Sequence, residues 1–275
     1  VEKRLSNSES VDLFKKFTGY LEKKFGWFVI PSKIENTAFI LGKLIIKFGE
    51  NNLVLLFGSA VNHDFFSEID DEIIDLYSIS ETYFNREPET LHLLDSLTVK
   101  VLKNRDEISV LCAASSSGEE VYSVAIELQK YRSIGEVKLY GAEINTKMIK
   151  IAEEGVYSDW SLRSCSPDFK EKYFHKEGKK YKLKEEFKRG ILFTRYNLLS
   201  SNISYYFKEQ SFDIILCRNL FLYLNHNATE KVIYNLLKLL NPGGFIITGL
   251  AEGASSAMLK PYTYNGYQNI FRFEK

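Results

Sequence analysis

Two textures follow one another along the chain. Between residues 9 and 95 apolar positions recur every three to four residues, and Val11–Phe25, Thr37–Phe48 and Asp64–Tyr77 each carry one apolar stripe, which predicts amphipathic helices. No convincing strand alternation breaks that stretch. From Ile108 onward short apolar runs alternate with helical patterns. The runs Ile108–Ala113, Val137–Ala142, Ile191–Tyr196, Phe212–Cys217 and Gly244–Gly249 predict strands, and Glu119–Tyr131, Thr146–Glu154 and Thr229–Leu240 predict helices. Strand and helix in turn is the signature of a parallel, doubly wound α/β sheet. The chain therefore divides into a helical part, residues 1–95, and a sheet-bearing part, residues 96–275, meeting near 96–107. A Lys/Tyr alternation at Lys179–Lys184 interrupts the second part and predicts a small inserted β element at about 160–195. Tyr267–Phe273 alternates after Gly266 and predicts a last hairpin strand, while Leu240–Gly244 reads as a helix stop and turn.

The most informative corner joins the strand Ile108–Ala113 to the helix from Glu119 through a loop, Ala114–Gly118. Val121, Val124, Ala125 and Leu128 form the buried face of that helix. Such a corner turns backbone N–H groups toward a ligand. Glu119 and Glu120 suit the positive end of the helix and would repel a phosphate, so a ligand with hydroxyls and a positive charge fits better. Ligands of such sheets lie beyond the carboxyl ends of the strands. There the sequence supplies Glu143, Asn197 and Cys217-Arg218-Asn219, and Glu143 falls about 25 residues past Gly118, where an acid usually takes a ribose hydroxyl pair.

Composition narrows the choice of partner. The 275 residues are 45% hydrophobic and carry 36 basic and 36 acidic side chains, so no global charge draws the chain to nucleic acid or an acidic membrane. The three cysteines, Cys112, Cys165 and Cys217, are far apart without metal spacing, which predicts reduced thiols and no metal site. The apolar runs are too short to span a bilayer and no signal segment opens the chain, so a cytoplasmic protein without membrane insertion is expected.

In order, TYFNRE (82–87), SSSGEEVYS (115–123), AEIN (142–145), Asn197-Leu198, FDIILCRNLFLYL (212–224) and LNPGGFIITGLAE (240–252) resemble the CheR-type chemotaxis receptor methyltransferases. That family uses S-adenosylmethionine to esterify glutamates on chemoreceptors, leaving S-adenosylhomocysteine. The resemblance implies a class I, Rossmann-like methyltransferase domain, an all-helical N-terminal domain and a small inserted β subdomain. It implies that Gly118, Glu119 and Glu120 approach the cofactor, that Glu143 beside Ile144 grips its ribose, and that Asn197 and Leu198 flank the adenine. Asn219 and Leu220 would face the methionine end, and Thr82 would lie on the loop closing over it. Arg86 and Tyr223 would stand beside the transferring methyl as the catalytic pair, with Arg86 also counted among the cofactor contacts. The implied partner is the cytoplasmic helical domain of methyl-accepting receptors.

The sequence departs from the family at Asn85 for a phenylalanine, Val121 for a proline, Glu143 for an aspartate and Leu250-Ala251 before Glu252 for His-Ser. The helix around 33–43 lacks the family's clustered arginines and keeps Lys33, Lys43 and Lys47. Simpler roles stand beside the chemical ones: Glu119 and Glu120 as helix N-terminal acids, Arg86 as an ion-pair partner of Glu87 or Glu89, Tyr223 as a core tyrosine. A different protein or small-molecule acceptor, or a non-catalytic cofactor-binding scaffold, are the rival functions. A glutamate acceptor is ionised at neutral pH, with an ordinary pKa of about 4.3, and needs no general base. His63, His92, His175 and His226 all lie outside the motif blocks.

Overall fold

The computed structural model describes residues 7–102, 107–129, 136–207, 210–252 and 257–274. Four helices open the chain: α1 (Asn7–Phe25), α2 (Ile34–Phe48), α3 (Glu50–Gly58) and α4 (Glu68–Tyr77). Their apolar stripes meet in one core, with Phe17 and Leu21 from α1, Leu44 from α2, Leu53 from α3 and Ile73 and Ile74 from α4 all fully buried. The pattern starting at Asp64 turns helical only at Glu68, because Ser67 and Asp70 form a reciprocal capping box that fixes the first turn there.

Helix α5 (Pro88–Leu102) leads to β1 (Glu107–Ala113), α6 (Glu119–Leu128), β2 (Glu136–Glu143) and α7 (Thr146–Glu154). The expected extension of α6 to Tyr131 lies outside the described residues. All four residues assigned to its inner face, Val121, Val124, Ala125 and Leu128, are buried against β1 and α5. After α7 come β3 (Val156–Ser158), α8 (Pro167–Tyr173), β4 (Phe174–Glu177) and β5 (Lys180–Leu183), then β6 (Ile191–Arg195), α9 (Ile203–Phe207), β7 (Phe212–Cys217), α10 (His226–Leu239), β8 (Leu240–Thr248) and β9 (Ile270–Arg272).

The main sheet runs β6-β2-β1-β7-β8-β9, parallel except for β9, which pairs antiparallel with β8. The chain steps outward from β1 through β2 to β6, then returns to the far side of β1 with β7. A crevice must open where the order reverses, beyond Ala113 and Cys217. The inserted element is a three-stranded antiparallel sheet, β3-β5-β4, over its own core of Phe84, Tyr157, Leu162, Phe174, Leu183 and Phe187. It begins at Val156, ahead of the expected boundary, because Gly155 adopts φ 66°, ends α7 and feeds the chain straight into β3.

Leu240–Gly244 corrects the sequence reading. The helix stops at Leu239, but these residues enter β8 as a bulged start: Leu240 pairs with Phe212, and the register slips before Ile214 meets Phe245. Gly243 at φ 79° turns its N–H to the Phe273 carbonyl at 2.7 Å. No helix among the described residues is long and apolar enough to cross a membrane.

Candidate functional site

The loop after β1 alternates into the left-handed region at Ala114 (φ 59°), Ser116 (φ 48°) and Gly118 (φ 89°). Two of these residues carry side chains, a conformation that costs free energy unless its surroundings hold it. Here Ser115 N–H donates to the Ala142 carbonyl at 2.9 Å, Ser116 N–H to the Glu143 carboxylate at 2.8 Å, and Ser116 Oγ to the Ser80 carbonyl at 2.9 Å. At Gly118 a Cβ would stand 2.8 Å from that of Ala152, so close packing against α7 demands glycine as firmly as its φ does.

Glu143 at the end of β2 accepts three backbone N–H bonds, from Ser116 on Oε2 and from Ile144 and Asn145 at 2.9 Å on Oε1. Burial pushes its pKa above the ordinary 4.5, and those three bonds pull against that rise. A carboxylate offers about four acceptor positions, so Oε2 retains one for a ligand hydroxyl.

Across from Glu143 an aromatic wall comes from the helical part. Trp27 stacks between Phe25 (ring centroids 4.6 Å apart) and Tyr77 (5.3 Å). Between these walls lies a cavity of about 380 Å³, ordinary for a small-ligand site. Thr82, Arg86, Glu120, Glu143, Ile144, Asn197, Leu198, Asn219, Leu220 and Tyr223 all line it. Gly118 and Glu119 do not: Gly118 is pressed against α7, and Glu119, 2% exposed, accepts from Ser117 Oγ at 2.7 Å beneath the loop. Asn197 uses its side chain internally, donating to the Lys24 carbonyl at 2.9 Å and accepting from Leu199 N–H at 3.0 Å.

Arg86 sits on the loop between α4 and α5, half-buried, with Nη1 donating to the Glu81 carbonyl at 3.1 Å and its guanidinium 5.7 Å from the Tyr83 ring centre. Its neighbours Asn85 and Glu87 both have positive φ, 58° and 54°. Glu87 pairs with Arg218 at 3.1 Å, not with Arg86. Tyr223 lies in a short turn, Phe221–Tyr223, half-buried on the cavity wall, with Lys33 Nζ 5.6 Å from its ring centre.

Sequence reasoning missed the aromatic wall, Lys33 at the cavity and the part Glu252 plays, and it placed Arg218 at the cleft without finding its partners. Glu252, 1% exposed, collects the N–H groups of Asn219 (2.6 Å), Phe221 (2.7 Å) and Gly249 (2.9 Å), and so sets Asn219 at φ 60°. Burial raises its pKa and the same bonds oppose that shift. Arg218 and Glu252 lie in the Cys-Arg-Asn and 240–252 blocks, whereas Lys33 and the aromatic wall come from the distant helical part.

Two buried polar atoms on the cavity lining, Ser115 Oγ and Arg218 Nε, have no hydrogen-bond partner among the described residues. Both are enclosed by protein, so of these polar groups the acceptor position left on Glu143 is the one open to a ligand hydroxyl.

A family model described as "CheR methyltransferase, SAM binding domain" matches residues 80–264, a span holding every motif residue above. The chain is 30% identical over 251 residues to the chemotaxis protein methyltransferase of Vibrio parahaemolyticus serotype O3:K6, covering 87% of this chain and 88% of that protein. It is likewise 30% identical over 251 residues to chemotaxis protein methyltransferase 1 of Vibrio cholerae serotype O1, and 28% identical over 192 residues to the chemotaxis protein methyltransferase of Borreliella burgdorferi.

Proposed function

Because the chain belongs to the CheR methyltransferase family, we propose that it methylates glutamate side chains of chemoreceptors, giving glutamyl methyl esters. It is an S-adenosylmethionine-dependent methyltransferase of chemotaxis. When bound, S-adenosylmethionine supplies an electrophilic methyl group on a sulfonium. Glu143 would accept from a ribose hydroxyl, with Ile144 and Leu198 beside the base and Leu220, Asn219, Glu120 and Thr82 toward the methionine end. Gly118 and Glu119 would support the corner from behind, and Asn197 would fix it to the end of α1.

The observation that carries this reading is the pairing of Arg86 and Tyr223 on one cavity with Glu143, while no histidine is found among the described lining. A carboxylate acceptor needs orientation and exclusion of water rather than deprotonation. The planar fork of Arg86 is suited to steering a carboxylate by one oxygen, leaving the other nucleophilic. The Tyr223 hydroxyl offers a second guide at the same mouth. In this proposal the helices before the Thr82–Arg86 loop read the acceptor, the cytoplasmic helical domain of a methyl-accepting receptor, and that loop with the sheet-bearing part performs the transfer in the cytoplasm.

A second reading, a different protein acceptor on the same scaffold, is favoured by one feature of α2. Its exposed face carries Phe39 (61% exposed) and Ile46 (88% exposed) where the family resemblance leads one to expect arginines. Incubation with labelled S-adenosylmethionine and receptor-containing membranes separates the cases. Base-labile label on a receptor-sized band is the expected result; base-stable label would exclude a carboxylate acceptor, and base-labile label elsewhere would favour the second reading.

A further inference from the structure

The side chain of Arg218 is only 2% exposed, yet it joins three separate segments. From the end of β7 its Nη1 donates to Glu120 Oε2 at 2.6 Å, on the first turn of α6. Its Nη2 donates to the Arg86 carbonyl oxygen at 2.6 Å and lies 3.1 Å from Glu87 Oε2. The segment it grips is a strained one, since Arg86 stands between two non-glycine residues of positive φ. Phe84 N–H to the Ser161 carbonyl and Asn85 N–H to Ser123 Oγ anchor it ahead of Arg86, and Leu250 N–H reaches the Glu87 carboxylate at 3.4 Å. Among these, only Arg218 holds the segment at the Arg86 backbone itself.

We propose that Arg218 is a positioning residue, clamping the Arg86 loop to the cofactor-binding corner so that the Arg86 guanidinium is aimed at the cavity. This rests on reading Arg86 as the group that steers the acceptor. A planar guanidinium can serve three acceptors in fixed directions, whereas a lysine ammonium at the same place is a single point charge on a shorter reach. Glu87 and Glu120 place two negative charges against one positive charge, an excess that suits a cationic cofactor without a carboxylate having to leave the clamp.

Two variants of the whole chain test the clamp, Glu87→Gln and Arg218→Lys. Glu87 does not line the cavity, so Glu87→Gln weakens the grip on the loop while Glu120 stays paired. Expected for Glu87→Gln are S-adenosylhomocysteine affinity within about threefold of wild type by calorimetry, faster amide hydrogen exchange confined to residues 80–88, and kcat lower by about 10- to 100-fold with KM for the cofactor unchanged. Arg218→Lys should likewise speed exchange over residues 80–88 and lower kcat, with the larger loss of kcat. Unchanged exchange in both variants would overturn the clamp, as would unchanged kcat alongside faster exchange. Loss of S-adenosylhomocysteine binding in Glu87→Gln would make the cluster a cofactor contact instead. Exchange and product binding need no acceptor, so they judge the clamp even where the proposed receptor substrate fails.

Discussion

A glutamate closed in by three backbone N–H groups and still facing a cavity has two opposed pH dependences. Burial lifts the pKa of Glu143 above 4.5, so the folded protein keeps its proton where the unfolded chain has lost it. Its contribution to stability is therefore fully present below 4.5 and is lost as pH rises through the raised folded value. In the proposed site ribose recognition runs the other way, since a proton on the carboxyl would compete for the one acceptor position left on Oε2. S-adenosylhomocysteine affinity should thus fall on acidification with a midpoint above 4.5. Glu143→Gln should flatten that profile and weaken binding at neutral pH by about 10- to 100-fold, the worth of a hydrogen bond to a charged group of about 1.5–3 kcal/mol. Calorimetric titration at several pH values reads both effects, and a profile unchanged in the variant would remove Glu143 from the ribose site. Arg86→Ala is expected to split differently: turnover lower by about 100-fold or more, with product affinity within a few-fold, because its described side-chain bond goes to the Glu81 carbonyl and not to the cavity's cofactor wall.

At the scale of elements, what could be read in the sequence tracks how local its cause is. Thr146–Glu154 and Phe212–Cys217 match their observed bounds, the first because Asn145 caps it at Lys147 N–H and Gly155 ends it. The start of α4 was read early since Asp64–Phe66 continue the apolar period, and only the Ser67 side chain overrides it. That box is also a tertiary joint: Asp70 accepts from the Tyr20 hydroxyl at 2.7 Å and lies beside the buried Lys24 ammonium. Burial and the Asp70 hydrogen bond raise the tyrosine's pKa far above its ordinary range. Ser67→Ala should therefore cost about 1 kcal/mol by urea unfolding, as a lost cap does, and Asp70→Ala about 3–5 kcal/mol, because it removes the counter-ion of a buried ammonium left with only the Asn62 and Phe65 carbonyls and orphans the Tyr20 hydroxyl. Equal effects would mean the joint contributes nothing beyond the cap. The site divides in the same manner: Glu143, Arg86 and Tyr223 lie in contiguous motifs, while Trp27 and Lys33, from the connection between α1 and α2, and Tyr77, at the end of α4, reach the cavity only when the helical part meets the sheet on folding. Glu252 is legible as the end of the 240–252 block but its task is not, since its partners are backbone N–H groups that any sequence would supply.

Across the whole molecule the cavity is a joint between helical part and sheet, so ligand binding and cooperative folding share the same contacts. Asn197 reaches the Lys24 carbonyl, Asn225 N–H donates to the Gly26 carbonyl at 2.8 Å, Trp27 bridges to Leu224, and Arg195 and Ser200 bind Asp71 and Asp64. One apolar cluster runs through both, from Phe17 and Leu44 to Leu111, Ile215 and Leu236. Such continuity predicts a single thermal transition in which loss of helix and loss of Trp27 packing coincide. Trp160 is 65% exposed, so Trp160→Phe leaves Trp27, the only other tryptophan, as the sole reporter at the cavity. In that variant S-adenosylhomocysteine should change Trp27 fluorescence along the same saturation curve that calorimetry gives. At a hundredfold excess over Kd it should stabilise the fold by about 2.7 kcal/mol and raise both the fluorescence and the circular-dichroism midpoints together, by about 5–10 °C. A midpoint that moves in circular dichroism while Trp27 stays put would mean the aromatic wall belongs to the helices alone and takes no part in holding the cofactor.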